Sequence, residues 1–583
     1  MNGTKVFADT WYLIGGQRRY LPGLLVAAII LGFLDLVGIG LIAPFIATLS
    51  NPESSGRMTT WVLERVPYPG ASPVIVMGTL LIAVFAARLL GSVVAMWAVY
   101  GFSAKLDHSL RMRLLRTYFA MDAEVHAARD TAYLVNAVHS FSAQFSYGFV
   151  ATLVRVAIEL IICIAILVFT LWVNPLSFFL LTLLLAGVYV FYKKIIRQRA
   201  HIYGQRVAEA SAEMIRELQQ GMAGLKEIAV YGISERLLSG SDSIALNHAR
   251  SNHHYLLLLS VPRYLIEFSA VLFICATVFL LIASGMPDGE LIPVLGMLGA
   301  SLMRLVPGLN YAMAGATELR FGQTAIERLA EDLKRGEKTD FDMPASSPLL
   351  EPFKVLELRG VTYQHPGSDK AVLQGVSLTI RAGESIGIVG PSGGGKTTLA
   401  ELVVGLREPT SGMVLLNGQD RRSLNPINTR GYFAYLPQEI FILNDTIRNN
   451  VSLRDEAADA ESRSSAAIAS ARLDSVLDDL PNGIDSFCGE GGARLSGGQK
   501  QRIAVARAFY HRRSVLVLDE ATSALDQCTE REIISEIQEL KGSCTLFVVA
   551  HRLQTVLGCD RIFVVKEGRI SEISKEQLLA EAY

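Results

Sequence analysis

The chain is poor in charge. Only 19% of its 583 residues are Asp, Glu, Lys or Arg, while 51% are hydrophobic. A complement this sparse is apolar for a soluble protein and points to a membrane portion. Basic residues (54) and acidic residues (55) nearly cancel, and no basic tail or block stands out. Nothing therefore marks a nucleic-acid partner. The six cysteines (Cys163, Cys275, Cys488, Cys528, Cys544 and Cys559) show no C-x-x-C pair and no metal-ligand spacing. Reduced thiols are expected, because disulfide frameworks belong to small secreted chains. There is no internal repeat. The first twenty residues lack the compact apolar core and small-residue cleavage site of a signal peptide, so the run from Leu21 is expected to stay as a membrane helix.

Long apolar runs are present in the first half. A spanning helix needs about 20 mostly apolar residues. Six runs qualify, at 21–49, 73–100, 148–173, 176–192, 255–283 and 291–314. The connections between runs two and three and between runs four and five are long and rich in Lys and Arg, while those after runs three and five are short and lack both. Positive residues stay inside, so both long connections and both termini are expected to be cytoplasmic. The amphipathic spacing in 209–220 predicts a helical stalk. Residues 1–315 thus read as an all-α six-helix transmembrane domain, 316–350 as a charged, then Pro/Ser-rich linker, and 351–583 as an α/β domain.

The α/β domain carries phosphate chemistry. Gly390-Pro391-Ser392-Gly393-Gly394-Gly395-Lys396-Thr397-Thr398 matches the P-loop pattern between an apolar strand and a helix. Its glycines let backbone N–H groups approach ATP phosphates, Lys396 brings charge to them, and Thr397 offers a hydroxyl to Mg²⁺. The apolar 515–518 ends in Asp519-Glu520. Asp519 suits the Mg²⁺ shell, and Glu520 suits a base for the attacking water. A strand ending in two acids is weak evidence alone and strong beside a P-loop.

Leu495-Ser496-Gly497-Gly498-Gln499 before the helical 500–510 resembles the signature sequence of the ABC ATPases. That resemblance implies that Ser496 and Gly498, with Gly497 and Gln499, meet ATP held by the P-loop of a second copy. It also implies an adenine-stacking role for Tyr363, a Mg²⁺- and membrane-domain-sensing role for Gln438, and a D-loop at Ser523-Ala524-Leu525-Asp526. His551 resembles the switch histidine on the γ-phosphate, and Gly489-Glu490-Gly491 the exporter X-loop, although Ser486-Phe487-Cys488 departs from that loop's usual Thr-x-Val. One ATPase domain and six spans per chain make a homodimer the economical assembly.

Ionisable residues fall inside the predicted spans: Asp35, Arg88, Arg155, Glu159, Arg263, Glu267 and Arg304. Each needs a partner or water, since a mid-bilayer charge costs at least about 2.5–3.5 kcal/mol. Arg155 with Glu159 and Arg263 with Glu267 have i,i+4 spacing. Arg88 and Arg304 have no acid in their own helix, and Asp35 could serve one of them. Two roles stay open, salt bridges that hold the bundle or a cavity for an anionic headgroup. Residues 33–46 and 224–228 resemble PglK-type lipid-linked oligosaccharide flippases, whose short external helix the stretch 58–66 also fits. That resemblance implies ATP-driven flipping of a polyprenyl-pyrophosphate-linked glycan across the cytoplasmic (inner) membrane, with Arg88, Arg263 and Arg304 on the pyrophosphate. Loops near 120–129 and 223–231 would transmit the movement. Another amphiphile (a lipid A precursor, drug or peptide) is the alternative. An ATP-gated channel or regulator is a rival of another class. A soluble ABC ATPase conflicts with the six spans.

Overall fold

The computed structural model describes residues 3–50, 72–121, 131–283, 288–336, 351–368, 370–478, 480–520, 544–550 and 553–581, with Ser535 and Gly542. Two compact units divide the chain, residues 1–121 with 129–341, and residues 122–128 with 342–583.

The first unit is built from helices: α1 (Gly3–Ile14), α2 (Leu21–Ser50), α3 (Pro73–Ala120), α4 (Tyr133–Val173), α5 (Pro175–Ala223), α6 (Leu225–Tyr231), α7 (Ser234–Ala283), α8 (Asp288–Phe321) and α9 (Gln323–Gly336). Among the described residues, five helices are long and apolar enough to cross a membrane. The sixth expected span, 291–314, lies within the 34-residue α8. Helices α3 and α7 run for 48 and 50 residues. At about 1.5 Å per residue each exceeds 70 Å, over twice the roughly 30 Å hydrocarbon core. The stretch 209–220, expected as a stalk, lies within the 49-residue α5. Asn174 and Pro175 set the tight α4–α5 link. The Asn174 side chain accepts the Ser177 N–H at 3.0 Å, and Pro175 fits the first helical turn.

Part of the expected linker is helical. Residues 316–321 continue α8, and α9 buries Ile326, Leu329, Ala330 and Leu333 in the same apolar cluster as Leu106, Leu110 and Leu114 of α3. The i, i+3, i+4, i+7 spacing makes one apolar stripe, which its many charges obscure. Asp332 of α9 accepts from Tyr118 Oη at 2.7 Å and Tyr133 Oη at 3.1 Å, and Lys334 Nζ reaches Asp9 Oδ1 at 2.5 Å. The external stretch 58–66 and most of the loop 120–129 lie outside the described residues.

The second unit holds β1 (Val355–Gln364), β2 (Ala371–Arg381), β3 (Ser385–Val389), α10 (Lys396–Val404), β4 (Ser411–Leu416), β5 (Gln419–Asp420), β6 (Phe433–Leu436), α11 (Gly497–His511), β7 (Val515–Asp519), β8 (Thr545–Val549), β9 (Arg561–Lys566) and β10 (Arg569–Ile573). One sheet has the order β10-β9-β3-β8-β7-β6 and is parallel except for β10; an antiparallel sheet has the order β2-β1-β4-β5. Every residue of β3, β7 and β8 is buried. Their side chains alternate between two cores. Val515, Val517, Phe547 and Val549 face the core shared with β1, β2 and α10, while Leu516, Leu518, Leu546 and Val548 face the core shared with α11. Burial on both faces explains why these strands read as continuous apolar runs. None of the described cysteines forms a disulfide.

Candidate functional site

The parallel sheet gathers the nucleotide residues at the carboxyl ends of its strands. From Val389 the chain turns through Gly390 to Gly395 and enters α10. Gly390 has φ +152°, and a Cβ there would lie 2.2 Å from the Val565 carbonyl oxygen, so only glycine lets the loop pass β9 this closely. Lys396 is buried, and its Nζ donates to the carbonyls of Gly390 and Pro391, both at 3.1 Å. It lies 3.9 Å from Glu520 Oε1. Lys396, Thr397 and Thr398 open α10, whose first N–H groups have no partner inside the helix. With Ser392, Gly393 and Gly394 before them, they make an anion cradle.

Asp519 ends β7. Thr397 Oγ1 donates to Asp519 Oδ1 at 3.2 Å and Tyr435 Oη to Oδ2 at 3.1 Å. Burial lifts the Asp519 carboxyl above the ordinary carboxylate range, and those two hydrogen bonds act against the lift. The Thr397 hydroxyl and the Asp519 carboxylate are hard oxygen donors side by side, a fit to Mg²⁺. Glu520 leaves the strand with φ +52°, its N–H bonded to the Val549 carbonyl at 3.0 Å. A left-handed backbone at a glutamate costs on the order of 1–3 kcal/mol, a kind of strain that clusters at functional sites. Gln438 follows β6, whose Leu436 pairs with Leu518 beside Asp519. His551 and the 523–526 segment lie outside the described residues, although β8 ends just before His551.

The signature sequence caps α11. Ser496 Oγ accepts the Gln499 N–H at 3.3 Å, and Gln499 Oε1 accepts the Ser496 N–H at 2.9 Å, a reciprocal capping box. The side chains of Ser496 and Gln499 therefore hold the helix start, and Gly497 and Gly498 form its first turn. Ser496 and Gly497 are exposed, whereas Ile503, Ala504 and Ala508 anchor the helix under the sheet.

Tyr363 is a correction. It is 1% exposed and belongs to the core of the antiparallel sheet, with Arg407 Nη1 donating to its hydroxyl at 2.6 Å. A ring held there cannot stack on adenine, because strand alternation points residue 363 inward. Tyr363 pairs with Leu373, and Leu373 with Val372 borders Gly395 of the phosphate loop. Two residues on, His365 is half-buried, edge-on to Tyr363 at 5.2 Å between ring centroids. His365-Pro366-Gly367 just past the strand end was passed over by the sequence reading.

In the membrane unit, Asp35 of α2 joins Arg88 of α3 and Arg304 of α8. Arg304 Nε lies 2.9 Å from Asp35 Oδ2 and Nη1 2.8 Å from Glu159 Oε2 of α4, while Arg88 Nε meets Asp35 Oδ1. Two arginines and two carboxylates balance. One turn past Arg304, a Cβ on Gly308 would lie 3.1 Å from Glu159 Oε2, so the glycine leaves room for that carboxylate. The expected Arg155–Glu159 pair does not form, because Glu159 serves Arg304 and Arg155 lies over the Tyr311 ring at 4.0 Å. Arg263 pairs with Glu267 at 2.8 Å along α7, both well exposed. The structure does not bring Arg263 into the Asp35 cluster.

The family model described as ABC transporter transmembrane region matches residues 21–295, and the ABC transporter model matches residues 373–523. The chain is an ABC exporter half-transporter. Its helical domain precedes an α/β ATPase domain. The exporter is similar to ABC transporter B family member 29, chloroplastic, of Arabidopsis thaliana, 36% identical over 48% of this chain and 44% of that one. It is 42% identical to the ATP-dependent lipid A-core flippase of Desulfotalea psychrophila over 42% of each chain. The chain thus spans less than half the length of these two relatives. Against the lipid A-core flippase of Photorhabdus laumondii the identity is 28% over 97% of this chain and 94% of the relative. A solved structure of a bacterial Atm1-family ABC exporter with ATP bound shares the fold, with a TM-score of 0.78 at 22% identity over 97% of both chains.

Two outcomes are expected. Glu520→Gln should retain ATP binding and lose hydrolysis by about 10²–10⁴-fold, the range of a general base; unchanged turnover in a steady-state ATPase assay would refute the assignment. Asp35→Asn takes the carboxylate from Arg88 and leaves two arginines against the single Glu159 inside the bundle, and should cost about 3–5 kcal/mol. Its thermal unfolding midpoint in detergent should drop by several degrees, and a wild-type midpoint would show that Asp35 does not hold the cluster.

Proposed function

We propose that the exporter works as a homodimer that flips a bulky amphiphile from the cytoplasmic to the outer leaflet of the inner membrane, with a lipid of the lipid A-core class as the first substrate. The observation that carries this reading is the match along nearly the full chain to relatives named lipid A-core flippases. The second reading is the polyprenyl-pyrophosphate-linked oligosaccharide, favoured by residues 33–46 and 224–228. In both readings 1–315 is the membrane domain, and the ATPase domain from 351 onward and both termini are cytoplasmic.

Each nucleotide is held between the phosphate loop of one copy and the Ser496-Gly497-Gly498 tip of the other. Lys396 and the α10 N–H groups bind and orient the phosphates. Thr397, Asp519 and Gln438 hold Mg²⁺, which supplies charge for the phosphoryl oxygens. Glu520 accepts a proton from the attacking water, and His551 positions the γ-phosphate. His365 replaces Tyr363 as the ring against adenine. The loops 120–129 and 223–231 pass the closure to the membrane helices. Arg88, Arg263 and Arg304 remain membrane-level contacts for an anionic headgroup, which must displace Asp35, Glu159 and Glu267 to reach them.

Base stacking on an aromatic ring is worth about 1–3 kcal/mol. His365→Ala should therefore raise the KM for ATP roughly tenfold, while Tyr363→Phe leaves it near wild type. The reverse pattern would restore Tyr363. In reconstituted vesicles a fluorescent lipid A-type lipid should change leaflet only with ATP, and faster than a polyprenyl-pyrophosphate glycan. Preference for the glycan would promote the second reading, and movement of neither would sink both.

A further inference from the structure

The arginines that sequence reasoning chose for an anion are committed to carboxylates. Two that it passed over are not. Helices α4, α5, α7, α8 and α9 enclose a cavity of about 660 Å³ at the end of the expected span 176–192. That volume falls within the range of small-molecule sites. Tyr189, Tyr192, Tyr255 and Phe141 give it apolar walls. Its polar lining includes Arg320, Arg328, Gln144, Gln205 and Glu209.

The tyrosine walls are held by contacts that do not use the arginines. Tyr192 Oη lies 2.8 Å from Thr317 Oγ1 and 3.3 Å from the Met313 carbonyl, which ties α5 to α8. A Cβ on Gly204 would come within 3.3 Å of the Tyr255 ring, so that glycine lets Tyr255 approach α5 closely. Among the described residues neither Arg320 nor Arg328 pairs with a carboxylate. The Arg328 guanidinium lies 5.7 Å from the centre of the Phe141 ring. Among the described residues Glu209 is the one acid in the lining, so two positive charges face one negative there. Guanidinium groups bind phosphate oxygens bidentately, and a cavity with aromatic walls takes an apolar stem.

We propose that this cavity binds the phosphorylated headgroup of an amphiphile. Arg320 and Arg328 take the phosphate, and Tyr189, Tyr192 and Tyr255 take the first methylenes of its chain. The inference rests on the flipping of an amphiphile proposed above and adds a loading station on the cytoplasmic side. A headgroup binds there without breaking an existing ion pair, unlike at the Asp35 cluster.

The full chain in detergent, titrated by native mass spectrometry with dioctanoyl phosphatidic acid, tests the site. Wild type should bind it at least about tenfold more tightly than dioctanoylglycerol, which lacks the phosphate. The Arg320→Ala/Arg328→Ala double variant should lose that preference while its basal ATPase activity and unfolding midpoint stay near wild type. Should the double variant fold poorly, Arg320→Lys/Arg328→Lys keeps the charge, and Glu209→Gln should tighten binding by removing the acid. Undiminished binding to the alanine variant, or no response to Glu209→Gln, overturns the proposal. So does inorganic phosphate competing with an affinity equal to that of the lipid, since the site would then read free phosphate. Wild-type vesicles separate the two readings. ATP-driven flipping that persists in the double variant removes this station alone, whereas absent flipping in wild type removes the amphiphile reading itself.

Discussion

A strand packed on both faces offers water only its ends. Strands β3, β7 and β8 are buried along their whole length, so the ATPase domain can do chemistry with them only where they stop. The phosphate loop follows β3, Asp519 and Glu520 close β7, and Gln438 and His551 follow β6 and β8. The same burial sets the electrostatics. Lys396 and Asp519 sit where a lone charge would be costly. The loop carbonyls of Gly390 and Pro391 hold one, and Thr397 and Tyr435 hold the other. These hydrogen-bond partners are neutral, and the Glu520 carboxylate stands off from Lys396 at 3.9 Å, so neither charge is cancelled by a close ion pair with the other.

The membrane unit meets the same constraint with the opposite solution. Asp35 is 5% exposed and faces Arg88 and Arg304, and Glu159 supplies the fourth charge. Partners of opposite sign neutralise the cluster, and the four side chains come from α2, α3, α4 and α8. Such a network locks four helices in register, because removing one member strands another in a low-dielectric setting. Its balance makes it a poor resting place for an anion. The cavity beside Tyr192 differs in kind: its arginines are more exposed and their charge is left over.

What the sequence could tell followed from range. The phosphate loop, the Asp519-Glu520 strand end and the signature helix were legible because each is a contiguous segment with one possible geometry. The inward side of Tyr363 depended on where β1 ends: Tyr363 still obeys the strand's alternation, whereas His365 lies past Gln364, the last strand residue. The Arg155–Glu159 pair had correct helical spacing, yet Tyr311 and Arg304 on α8 compete for its members, which spacing within one helix cannot reveal. Helix α9 was readable in principle from Ile326, Leu329, Ala330 and Leu333, but its charge density suggested a linker. Arg320 and Arg328 gave no signal, because only the packing of α5 and α7 against α8 makes a cavity beside them.

The two anion-binding elements of the ATPase domain also differ in strength, and that difference explains how nucleotide could govern assembly. The phosphate loop has a buried lysine and a full cradle, so it binds phosphate by itself. The start of α11 has only N–H groups and about half a positive charge from the helix dipole, in an exposed position where solvent screens it. Its capping box keeps it rigid without lending it charge. Such a tip gains little from a free anion and much from a phosphate already held in a dry site, where the dielectric is low. In the proposed dimer, attraction between the two ATPase domains is therefore conditional on ATP. A stronger tip would bind without nucleotide and a weaker one would never close, so an uncharged helix end suits a clamp that must open again after hydrolysis.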